Sequence, residues 1–138
     1  MGIYETLIGF IDKLKDDSIG EWIIDRENDG TMEHPIQMPF VEYSAVVRTF
    51  EKAVYVFDEE HPEFELNRYG EILKQYDIDW GVDSMSSADV SELDGQAVMA
   101  LLIGAVRAER FCDGALNTFF KNGSIERWLL RLKEIDTN

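Results

Sequence analysis

Arg107 and Arg110 stand three residues apart in the segment Arg107-Ala108-Glu109-Arg110-Phe111-Cys112-Asp113-Gly114. On a helix that spacing projects both guanidiniums from one face. Two such planar forks side by side can grip a carboxylate or a phosphate bidentately. The pair can equally lock onto Glu109, Asp113 or an acid from the first half of the chain and fasten a helix to its neighbour. The structural role is the expectation, with both arginines buried or half-buried and paired with carboxylates. Should an anion be the target instead, Arg107, Arg110 and Asp113 are the candidate ligand-binding residues.

Other chemistry-bearing groups give weaker signals. Asp25-Arg26-Glu27-Asn28-Asp29-Gly30 places acids at positions 1, 3 and 5 and glycine at position 6 of a calcium loop, but the bidentate position 12 is Ile36. A solvated turn is the reading. The two histidines, His34 and His61, sit in acidic stretches far apart in sequence, and a metal centre needs several such ligands to converge. Both read as exposed loop residues. Cys112 is the single cysteine, so no disulfide forms within the chain, and it reads as a packed thiol. No glycine-rich phosphate loop, nucleophile elbow or His-Glu-x-x-His segment occurs. No catalytic residue, metal or cofactor is assigned.

The elements that must position these groups read as helices. Residues 3–15 carry Ile3, Tyr4, Leu7, Ile8, Ile11 and Leu14 on one helical face. Glu21 to Asp25 is a short apolar run that reads as an extended or strand segment. Residues 25–40, with Asn28-Asp29-Gly30, Pro35 and Pro39, form a long loop. Ser44 can cap a helix carrying Val46, Val47, Phe50, Ala53, Val54 and Phe57. Pro62 opens another, with Glu63 and Glu65 in its first turn and Tyr69, Ile72, Leu73 and Tyr76 as its stripe. Residues 77–93 look irregular. Asp94 caps a helix whose 97–106 stretch is apolar on every side, so it belongs at the centre of the molecule. A short helix over 113–121 stops at Asn122-Gly123, and Ser124 caps the last, with Ile125, Trp128, Leu129, Leu132 and Ile135 in one stripe. The fold class is mainly α: residues 1–138 as a single acidic bundle of about six helices, with room for a short extended or strand segment near 21–25.

The chain has 138 residues, an ordinary domain size, and 45% hydrophobic residues, an ordinary globular mixture. Its net charge of −15 is unevenly placed, with −16 on residues 1–96 and +1 on residues 97–138. A field of that sign repels nucleic-acid phosphate and anionic lipid, which disfavours direct binding of DNA or RNA through the acidic part. No run of 18 apolar residues spans a membrane and no signal peptide opens the chain, so a cytoplasmic location is expected. Any protein partner is expected to present a basic surface; a homodimer is also compatible with the composition.

The segment Arg107, Arg110, Phe111, Asp113, Gly114, then Gly123 and Trp128-Leu129-Leu130-Arg131-Leu132, resembles a bacterial and phage family described only as a domain of unknown function. Pro39-Phe40-Val41-Glu42-Tyr43-Ser44 is similar to an earlier segment of that family, whereas residues 58–93 do not clearly match. The resemblance implies a compact cytoplasmic domain and no particular activity. Two readings of function follow. The missing catalytic constellations and the acidic field favour a non-enzymatic interaction or regulatory module. The alternative is a small enzyme or anionic-ligand-binding protein that uses the Arg107/Arg110 face.

Overall fold

Helix α1 (Glu5–Ile8) and helix α2 (Phe10–Asp16) make the first layer, separated by a single turn residue, Gly9. The computed structural model describes residues 3–16, 20–23, 40–43, 45–112 and 114–137. The predicted single helix over 3–15 is therefore two short ones. Tyr4, Leu7, Phe10 and Ile11 are buried, while Ile3, read as core-facing, is 52% exposed.

Strand β1 (Gly20–Ile23) pairs antiparallel with strand β2 (Phe40–Tyr43), Gly20 opposite Tyr43 and Ile23 opposite Phe40. The extended or strand segment expected near 21–25 is thus a strand over Gly20–Ile23, its last two residues lying outside the described ones. Its partner was hidden in sequence because four residues after Pro39 carry too little alternation to stand out. The calcium-like turn, His34 and the Ser44 cap lie outside the described residues.

Helix α3 (Ala45–Glu60) buries Val47, Phe50, Val54 and Phe57, the recurrence read from sequence. The helix expected after Pro62 is instead two 3-10 turns, Pro62–Phe64 and Leu66–Arg68, followed by α4 (Tyr69–Lys74). Glu65 between the turns adopts a left-handed backbone with φ +51°, which breaks the helix and turns the fully buried Leu66 inward. Residues 77–93 are more regular than expected, holding α5 (Val82–Ser87), with Met85 buried, and a 3-10 turn at Val90–Glu92. Serine-rich composition masked these short elements.

Helix α6 (Gly95–Ala108) is the axis of the molecule. The Asp94 carboxylate accepts from the Ala97 N–H at 2.9 Å, which caps its start. Every residue from 97 to 106 is buried, so an all-apolar helix is central. It packs against α3 and α4 and against two later helices, α7 (Ala115–Lys121) and α8 (Ser124–Thr137). A side chain at Gly95 would overlap the Tyr4 phenol, so glycine lets the first layer close onto α6. Gly123 has φ +83° and ends α7 as expected. The start of α8 differs in detail: the Asn122 side chain accepts from the Ser124 N–H at 3.0 Å and from its hydroxyl at 2.6 Å. Ser124 is thus a buried first residue rather than the capping acceptor.

Candidate functional site

The segment from Arg107 to Gly114 leaves the end of α6 and turns into α7, and its side chains divide between two surroundings. Glu109 turns inward. Its carboxylate accepts from the Gly114 N–H at 3.0 and 3.1 Å and from the Leu116 N–H at 3.0 Å, the unpaired donors at the start of α7. The Tyr43 hydroxyl donates to Glu109 Oε1 at 2.6 Å and accepts from the Asn117 N–H at 2.9 Å. Gly114 lacks a capping side chain and has φ +89°, so a remote carboxylate and a phenol do the work of an N-cap residue. A negative charge there also suits the positive end of the helix dipole.

This arrangement reverses the expectation for Glu109 as an arginine partner. It ties β2 to α7 through one buried tyrosine. Burial and the Glu109 carboxylate both push the Tyr43 phenol far above its ordinary pKa. Glu51 on α3 lies within the same field. Burial, and in lesser part the Glu109 charge, raise its carboxyl above the usual range against the pull of Arg48 and Arg110. Its Oε1 is buried without a hydrogen bond, with Arg48 Nη1 at 3.6 Å.

The arginines face the other way. Arg107 is half-buried, its guanidinium 5.7 Å from the Tyr69 ring centroid on α4. Arg110 is exposed, 5.7 Å from the Tyr55 ring centroid on α3. Neither forms an ion pair among the described residues; each rests on an aromatic face. Arg107 Nε is buried without a hydrogen-bond partner. The two guanidiniums therefore engage separate helices rather than being held as one clamp. Asp113, the third candidate residue, lies outside the described residues.

Around Arg107 the surface is aromatic. Phe111 is 76% exposed and meets Trp80 edge-on at 5.5 Å, and Trp80, 41% exposed, meets Tyr69 edge-on at 5.8 Å. Trp80 is held from below by donating its indole N–H to the Gly104 carbonyl at 3.0 Å. Gly104 makes this seat: a Cβ there would stand 3.4 Å from Trp80 Cδ1 and 3.2 Å from Met85 Cε. Cys112, read from sequence as packed, is exposed beside Phe111. His61, read as an exposed loop residue, is half-buried against the Phe57 ring at 4.4 Å, with Nδ1 3.2 Å from Glu63 Oε1. Among the described residues no group of three or more histidine, cysteine or acidic side chains is placed to hold a metal.

A family model matches residues 4–138, nearly the entire chain. The chain belongs to DUF6508, a family of unknown function. The DUF6508 match takes in residues 58–93, which the recognisable segments alone did not cover. No curated protein and no solved structure was found to match. Among the described residues no helix of this DUF6508 chain is long and apolar enough to cross a membrane. Sequence reasoning missed Trp80 because it sits in a stretch read as irregular. Phe111 stands out in sequence only as part of the Arg-x-x-Arg-Phe segment. The available signal was a large aromatic, Phe111, directly after Arg110 in the least acidic part of the chain.

Proposed function

We propose that this protein is a non-enzymatic cytoplasmic interaction module that docks a basic-surfaced protein through the Tyr69–Trp80–Phe111 corner. The observation that carries this reading is Phe111, a large apolar ring standing 76% exposed on a tryptophan that is itself fixed from beneath. Tryptophan, tyrosine and arginine dominate the binding energy of protein interfaces, and rigid aromatic anchors lose little entropy on docking. The stretch that carries Tyr69 and Trp80 also carries the exposed acids Glu71, Asp77, Asp79 and Asp83, so a basic rim on the partner complements it. The test is affinity capture from the native host with wild-type and Phe111→Ser protein. The reading holds if a basic-surfaced protein is retained by the wild type and lost by a variant of unchanged melting temperature. It fails if retention ignores the substitution.

A second reading has one specific observation in its favour. Arg107 and Arg110 lack carboxylate partners among the described residues, and Arg107 Nε lacks any acceptor, which suits a small anionic ligand. Against it, the two described hollows are lined by neither arginine. Titration of inorganic phosphate followed by the Trp80 fluorescence distinguishes the readings, since saturable quenching lost in Arg107→Gln supports the ligand.

A further inference from the structure

The described face most suited to a second partner lies away from the aromatic corner, between the first layer and α3. Here an open trough of about 540 Å³ runs between two helical ridges. Tyr4 stacks on Phe57 while Phe10 meets Phe50, so the chain over 4–13 runs antiparallel to α3. Buried Leu7, Phe10 and Phe57 floor it; one ridge is Ile3, Thr6, Gly9 and Lys13, the other Thr49, Lys52, Val56 and Glu60. Both follow the three- and four-residue spacing of a helix surface, and a trough between two such ridges is the seat that a third helix takes in a bundle. Thr49 to Glu60 spans about 16 Å of axis, or roughly three helical turns. The middle of the trough is narrow in side chain, with Gly9 on one wall and Ala53 on the other, which permits a backbone to approach closely. Ile3 and Val56 stand 52% and 38% exposed on its lips.

Charge at the two ends gives the trough a polarity. Lys13 and Lys52 lie toward one end of the antiparallel pair, Glu5 and Glu60 toward the other. Lys52, Glu5 and Glu60 make no ion pair among the described residues, and the Lys13 ammonium sits 5.2 Å from the Phe10 ring centroid. An anionic end is unremarkable on this chain, but a cationic end on an apolar trough is contrary to its net charge of −15.

We propose that this trough seats an amphipathic helix of a partner protein, with an acidic side chain over Lys13 and Lys52 and a basic one over Glu5 and Glu60. The binding mode is helix-in-groove: apolar residues at three- and four-residue spacing fill the trough, and the end charges fix which helices are accepted. The interaction is independent of the Phe111 corner and leaves that surface free.

Two labelled peptides, each an amphipathic helix of about four turns, test it by fluorescence anisotropy against the full chain at physiological salt. Their apolar faces are identical; one carries acid at one end and base at the other, the second carries base at both. The chain's overall charge alone would favour the doubly basic peptide. The proposal expects the reverse, with the mixed peptide bound about fivefold more tightly, as a pair of rim contacts changing sign would give. Lys13→Glu/Lys52→Glu should invert the preference, and Ala53→Trp, filling the trough at its narrowest point, should abolish both. Equal or tighter binding of the doubly basic peptide to the wild type overturns the proposal. So does a dimer in sedimentation that Val56→Arg dissociates, because a second copy would then occupy the trough.

Discussion

Glu109 and Tyr43 show how far a residue's role depends on what its neighbours lack. A carboxylate between two arginines reads in sequence as their counterion. It is drawn away because Gly114 brings no acceptor to the start of α7, where two backbone N–H groups then take the carboxylate and a third takes the phenol. Tyr43→Phe removes the hydroxyl that bridges Glu109 and the Asn117 N–H, leaving a buried donor unpaired. The expected loss is about 1–3 kcal/mol in denaturant unfolding, with secondary structure retained. Glu51 makes the opposite prediction. Its folded pKa is raised above the unfolded value, so the folded state binds more protons between the two and stability falls as pH rises through that window. Above it the cost persists in full. Glu51→Gln should therefore raise the melting temperature at neutral pH, and the advantage should shrink on acidification toward the ordinary carboxylate range. A lower melting temperature for Glu51→Gln at neutral pH would mean that the attraction of Arg48 and Arg110 outweighs burial.

At the scale of elements, legibility followed length. Helix α6 was readable because its apolar run admits no exposed face, and α3 and α8 because each repeats its stripe over three or more turns. Leu101 lies at the middle of α6 with no exposed surface, so Leu101→Asp should cost several kcal/mol and abolish cooperative unfolding. A loss under about 1 kcal/mol would place that helix at the surface. Short elements escaped. The turns around Glu65, helix α5 and strand β2 span too few residues for a period to register, and each is held by contacts distant in sequence. Gln96 Nε2 donating to the Phe64 carbonyl at 2.9 Å is one such contact, and Trp80 bonding Gly104 is another. The candidate site was legible in part for the same reason. The arginines announced themselves by spacing, whereas Tyr55, Tyr69 and Trp80, on which the corner rests, come from three separate stretches that only the fold assembles.

For the molecule as a whole, the dominant feature is its charge. Most of its acids lie in residues 1–96, and a carboxylate without a partner stays in water. They repel one another within the Debye length of about 8 Å at physiological salt. Added sodium chloride should therefore raise the melting temperature modestly, and a fall would identify a network of native ion pairs instead. The few ion pairs between exposed side chains, such as Arg68–Glu71 and Lys74–Asp79, are too weak individually to reverse that trend. The same field should draw in a basic partner, with the aromatic corner then deciding how long it stays. The most direct measurement is the association and dissociation kinetics of the captured partner, for wild type and Phe111→Ser, across a salt series. The account predicts an on-rate that falls as salt rises equally for both proteins, and an off-rate at least about tenfold faster for Phe111→Ser at every salt concentration. An on-rate indifferent to salt, or an off-rate unchanged by loss of the phenyl ring, would contradict it.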